Sequence, residues 1–109
     1  VSNPARPQPI ALEWSRRVLM EFWAQGDEER RLGLEVSPLC DRAGGMAAVP
    51  QGQLGFISFI VRPLLTQVEQ IISEVSLATT QLEDNVKYWE KKKEEKASFQ
   101  ECFAVLGAP

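Results

Sequence analysis

Apolar residues recur along this chain at three- and four-residue steps, and nowhere do they alternate with polar ones in the two-residue rhythm of a strand. Leu54, Ile57, Val61, Leu64, Leu65, Val68 and Ile72 form one such series. They predict a central helix from about Pro50 to Ser73, with Pro50 suited to its first turn and Pro63 expected to kink it. Ahead of it, Ala11, Trp14, Val18 and Phe22 make one stripe, and Leu12, Leu19 and Trp23 make a neighbouring one. So wide an apolar arc predicts a helix from near Pro9 to Gln25 that is buried on more than one side, with Gly26 as its stop. Asp27 then reads as the cap of a short helix, Glu28 to Leu32, ended by Gly33. Leu82, Val86 and Trp89 mark the core face of a last long helix, Ser76 to Lys96, and Phe99 to Leu106 add a turn or two. Residues 34–49 read as a long loop, placed to form one wall of a pocket beside the central helix. The three prolines among the first nine residues predict an extended, fixed opening segment. The fold class is all-α.

Composition narrows the partners. Hydrophobic content of 44% and charged content of 25% are those of an ordinary globular protein. No stretch approaches a membrane span. A net charge of −3 with no basic run gives no support for nucleic-acid binding. Cys40 and Cys102 lack metal-ligand spacing and read as reduced thiols, with the cytoplasm as the default location. There is no histidine, so any site that needs imidazole has to be completed elsewhere. The chain opens on Val1 without a signal-peptide pattern and reads as a piece of something longer.

The candidate chemistry sits at the start of the central helix. Gln53 and Phe56 are one helical turn apart. A primary amide offers a donor and an acceptor together, which matches the edge of a purine, and a ring offers the base a face to stack on. Gly55 between them would leave room for close approach. The same two residues also describe a surface amide and a core ring. Among the acids, Asp27 reads as a helix cap, Asp41 as a loop partner for an arginine and Asp84 as a solvated helix position. Glu13 and Glu21 read as solvated or partner-facing.

Four separated stretches extend this reading: Ser2-Asn3-Pro4, Glu21 to Arg30, Leu34 to Arg42 and Gln53 to Leu64. In order and spacing they resemble the C-terminal third of the class I 3′,5′-cyclic nucleotide phosphodiesterase catalytic domain. Leu82-Glu83-Asp84-Asn85 and Trp89 are similar to that family's closing helix. The resemblance covers about residues 1–90, leaving 91–109 as a charged helix end and tail. It implies that Gln53 hydrogen-bonds the purine of cyclic AMP or cyclic GMP, while Phe56 and Val18 clamp its two faces. It also implies that Asn3 contacts the base edge and that Trp14, Ser15 and Phe22 line the pocket. Ser15 stands where threonine is common, Trp23 replaces the usual second phenylalanine, and Gly44 to Ala48 is unlike most members.

The resemblance further implies two divalent ions, zinc and magnesium or manganese, held by histidines and aspartates that lie outside this chain. One of those aspartates is expected immediately before Val1. The implied partners are a cyclic nucleotide and the preceding helices of the same catalytic domain. By itself, then, the chain is expected to be inactive. The alternative is a non-catalytic helical module, either a purine-nucleotide sensor or a protein whose Trp14, Trp23 and Trp89 pack against a partner.

Overall fold

Pro9 lies in the first turn of α1 (Gln8–Arg31), where its missing N–H has no acceptor to lose. The computed structural model describes residues 1–43 and 48–107. Every element among them is helical. A 3-10 turn, Asn3–Ala5, precedes α1. Then come α2 (Ala48–Phe56), a π-helical turn (Ile57–Val61) and α3 (Arg62–Glu69). A 3-10 turn, Ser73–Val75, leads into α4 (Ser76–Glu94), and a short α5 (Phe99–Cys102) and a final 3-10 turn, Ala104–Leu106, close the chain.

The first helix does not stop at Gly26, and Asp27 caps nothing. Gly26 is an interior, buried position of α1. A Cβ built on it would lie 1.9 Å from the Cys40 carbonyl oxygen and 2.7 Å from its carbon. The glycine is there because the following loop crosses the helix against its backbone. Asp27 instead pairs with Arg42 at 2.7 Å. The stop comes at Gly33, whose φ of 75° is left-handed. The Leu34 amide donates to the Glu29 carbonyl and the Gly33 amide to the Arg30 carbonyl. This is the bonding of a Schellman cap. The same pattern ends α4, with Lys96 at φ 54° and the Ala97 amide donating to Lys92.

The central helix is also different from the simple kinked rod the periodicity predicts. It begins at Ala48, ends at Glu69 and carries a π turn just before Pro63. The Arg62 amide donates to the Ile57 carbonyl, five residues back. Proline can neither donate to the preceding turn nor fit its ring against it, and a wider turn absorbs both problems. The wider turn rephases the apolar stripe. Ile57 and Val61 are fully buried, whereas Leu64 and Ile72 are each 49% exposed.

The core gathers Leu12 of α1, Val49 of α2, Ile57 and Val61 of the π turn, and Leu82, Val86 and Trp89 of α4. Phe103 and Cys102 seal it from the C-terminal side. Trp89 is therefore core and not a partner-facing ring. Arg62 grips Glu83 through two bonds of 2.8 and 2.9 Å, which ties α3 to α4. Other large apolar side chains stay open: Phe59, Ile71 and Leu77 are 81, 86 and 80% exposed.

The opening segment is latched from α4. Asn85 is buried and donates its amide to the carbonyls of Pro4 and Arg6, each at 2.8 Å. Asn85→Ala removes both donors and leaves a buried acceptor unsatisfied, at a cost of about 1–3 kcal/mol. A lower melting temperature for that variant is the expected result. An unchanged melt would mean that the latch carries no stability.

Candidate base-binding cleft

Trp14, Val18 and Phe22 share a face of α1 by their four-residue spacing, and Val49, Gln53 and Phe56 share a face of α2. The two faces look at each other across a cleft of about 340 Å³. The volume is within the range of small-molecule sites. The Asn3–Ala5 turn supplies Asn3 and Pro4 at one end, and the loop after α1 supplies Leu39 and Asp41. All seven residues singled out from the sequence (Gln53, Phe56, Val18, Asn3, Trp14, Ser15 and Phe22) line this one cleft. Periodicity alone reads Ala11, Trp14, Val18 and Phe22 as a buried face; Ala11 is buried, but Trp14, Val18 and Phe22 are 44, 41 and 38% exposed and form the cleft wall, as the resemblance implies. The core side of α1 is the neighbouring stripe, with Leu12 buried and Leu19 and Trp23 packed against it.

Within the cleft, the Ser15 hydroxyl lies 3.2 Å from Gln53 Oε1 and donates to it. A hydroxyl both donates and accepts, so it can hold either end of the amide. Phe56 is 39% exposed, leaving a ring face available to a ligand. Gly55 does not serve the close approach expected of it. A Cβ there would meet nothing within 4 Å, and the residue does not line the cleft. Gly52 does line it.

The loop wall is fixed from the last turns of α1. Glu29 accepts from the Ser37 amide at 3.0 Å and from its hydroxyl at 2.5 Å. Arg30 donates to Asp41 at 2.8 Å, so Asp41 has the arginine partner expected of it. Between these anchors Leu39 adopts φ 69°, a left-handed backbone that costs a side chain with a Cβ about 1–2 kcal/mol. The anchors hold that conformation and aim Leu39 at the cleft. Sequence reasoning did not single out Leu39, Asp41, Leu19, Trp23 or Val49 as cleft residues. Apart from the general placement of the loop, their local pattern carries no signal for it. Residues Gly44 to Ala47, expected as part of the same wall, lie outside the described residues.

Asp41 is held below the usual carboxylate range, first by its bond from Arg30 and then by the Ala43 amide. Glu29 is held low first by the Ser37 hydroxyl and then by the Ser37 amide. Lowered folded-state values mean that both anchors are complete above the ordinary carboxylate pKa and fade as pH falls through the lowered values. The Ala43 amide resonance should therefore stay constant from neutral pH and move only below about pH 4. A midpoint above the ordinary carboxylate value would contradict the Arg30–Asp41 anchor. Burial pushes the Cys102 thiol up to about 11 and raises Cys40 as well, so both are poor nucleophiles at neutral pH.

The cleft does not fit a metal centre. Among the described residues Asp41 is the only acid that lines it, and its Oδ1 already accepts from Arg30 and the Ala43 amide. No group of three or more potential metal ligands occurs among the described residues. No helix among them is long and apolar enough to cross a membrane. Of the remaining acids, Glu13 bonds Arg16 and Arg17, while Glu21 and Asp84 are exposed.

The cleft is apolar, walled by aromatic rings and furnished with one tethered amide, on an all-helical fold. The family model for 3′5′-cyclic nucleotide phosphodiesterase matches residues 1–82. This chain belongs to that family. It is 38% identical over 93 residues to a probable 3′,5′-cyclic-AMP phosphodiesterase, pde-4, of Caenorhabditis elegans, a match that covers 84% of this chain and 14% of that protein. Against 3′,5′-cyclic-AMP phosphodiesterase 4C of Rattus norvegicus it is 38% identical, with 84% and 17% covered. Against isoform F of the Drosophila melanogaster 3′,5′-cyclic-AMP phosphodiesterase it is 36% identical over 91 residues, with 83% and 13% covered. The chain thus spans less than a fifth of the length of these relatives.

Proposed function

We propose that this chain is the base-binding part of a 3′,5′-cyclic nucleotide phosphodiesterase catalytic domain, and that the whole protein hydrolyses cyclic AMP, cyclic GMP or both to the 5′-monophosphate. The observation that carries the proposal is the convergence of Gln53, Phe56, Val18, Asn3, Trp14, Ser15 and Phe22 on one cleft. In this reading Phe56 and Val18 sandwich the purine. Gln53 reads its edge, and Asn3 contacts it from the opening turn. The Ser15 hydroxyl fixes where the amide sits without choosing which end faces the base, because it can bond either. That arrangement is compatible with adenine and with guanine. The names of the relatives, cyclic-AMP phosphodiesterases, favour adenine as one accepted base.

In this reading the bond-breaking chemistry, and the two divalent ions that would serve it, belong to residues outside this chain, so the isolated chain would be inactive. In this reading, other helices of the same domain cover the exposed Phe59, Ile71 and Leu77 side chains. Hydrolysis of cyclic AMP and cyclic GMP by the full-length protein and its Gln53→Ala variant tests the reading. Loss of two neutral hydrogen bonds, about 0.5–1.5 kcal/mol each, should raise KM for at least one nucleotide. Undiminished turnover of both at low substrate would reject the assignment. A full-length protein that binds cyclic nucleotide and turns over neither would point to the purine-sensing module instead.

A further inference from the structure

Trp23 stands in the cleft wall and touches two supports that come from different parts of the chain. Phe99 lies with its ring centroid 5.1 Å from the indole, tilted at 42°. The Arg42 guanidinium also sits over the ring, 5.4 Å from its centroid. Arg42 belongs to the loop that carries Leu39 and Asp41 into the cleft, and it is itself paired with Asp27.

Phe99 is not a loose contact. Its ring meets Phe103 at 4.9 Å, and Phe103 meets the core ring of Trp89 at 5.9 Å. The backbone around it is fastened at three points. Ser98 and Glu101 form a reciprocal capping box that sets the start of α5. The Tyr88 hydroxyl donates to the Cys102 carbonyl. The buried Arg16 donates to the Gly107 carbonyl at 2.9 Å, while its other amino group holds Glu13 at 2.6 Å. A segment pinned in this way transmits its position to whatever its rings touch, and one of those rings touches the cleft wall.

We propose that the C-terminal segment, residues 97–107, is a positioning element of the base cleft, with Phe99 setting the placement of the Trp23 wall. The segment lies beyond residues 1–82 that the family model matches. It adds to the cleft a support that the matched region does not itself contain. The inference rests on the cleft being the nucleotide site. Phe99 and Trp23 take no part in the chemistry, so their effect falls on substrate binding and leaves the chemical step alone.

The test is steady-state kinetics of the full-length protein carrying Phe99→Ala, Phe99→Tyr, Leu65→Ala or Gln53→Ala, with a thermal melt of each. Leu65 packs on the core from α3, outside this segment and outside the cleft, so its truncation loosens the core without touching the segment. Phe99→Ala should raise KM about two- to tenfold with kcat unchanged, as expected for the loss of one aromatic pair. Phe99→Tyr should keep KM near the wild-type value. Leu65→Ala should lower the melting temperature and leave KM alone. If Phe99→Ala does not fold, Phe99→Leu, which keeps apolar volume but not the ring pair, should show the KM rise. Two results overturn the proposal: wild-type KM in Phe99→Ala or Phe99→Leu while Gln53→Ala raises it, or an equal rise from Leu65→Ala. Should Gln53→Ala also leave KM unchanged, the nucleotide reading of the cleft fails rather than the role of the segment.

Discussion

Gly26→Ala should destabilise the protein, although alanine is the better helix former. In an exposed helix the exchange would be favourable by about 1 kcal/mol. Here the added methyl would sit 1.9 Å from the Cys40 carbonyl oxygen, a backbone atom that no rotamer change can move aside. Overpacking of this kind costs about 1–3 kcal/mol, occasionally more, so the unfavourable term outweighs the propensity. The melting temperature of the full-length protein should fall by several degrees. Relief comes from pushing the loop outward, which draws Leu39 and Asp41 away from the cleft, so KM should rise in the same variant. A raised melting temperature would show that the loop does not rest on this helix.

The second large effect is expected from Phe56→Ala. A base stacked on an aromatic ring gains about 1–3 kcal/mol by alanine substitution, which corresponds to roughly a five- to 150-fold change in affinity. Phe56 is 39% exposed and belongs to the cleft more than to the core, so removing the ring should cost little stability. On the proposed reading the ring contacts only the base, so the loss should appear in KM and leave kcat nearly intact. A variant that melts well below the wild type with an unchanged KM would place the ring in a packing role. Together the two substitutions separate the parts of the site: Gly26 governs whether the loop wall can be assembled, and Phe56 governs what the assembled wall holds.

Much of this arrangement is legible in the linear pattern. The all-α class follows from three- and four-residue spacing, and the Gln53–Phe56 step marks a face that the fold turns toward Val18. Other features are not legible, for identifiable reasons. A glycine followed by an aspartate satisfies the local chemistry of a helix stop and a new cap. Only the approach of Cys40, fourteen residues further on, reveals that Gly26 is a contact point inside a continuous helix. The stripe of Trp14, Val18 and Phe22 has the spacing of a core face, and periodicity cannot tell a core from an apolar binding wall. A proline inside a helical pattern announces a disturbance but does not say whether the chain bends or widens. The roles of Trp23 and Phe99 depend on a long-range meeting of aromatic rings that no local signal encodes.

The widened turn at Ile57–Val61 has a further consequence. It separates the phase of α2 from that of α3, since each extra residue in a turn swings everything downstream by about 100° around the axis. Removing one residue from this stretch would allow a regular ladder up to Pro63. The half that bears Gln53 and Phe56 would keep its heading, while Arg62 rotated away from Glu83. The turn thus works as an angular spacer, which lets the cleft-lining face of α2 and the Arg62 face of α3 keep separate headings along one rod.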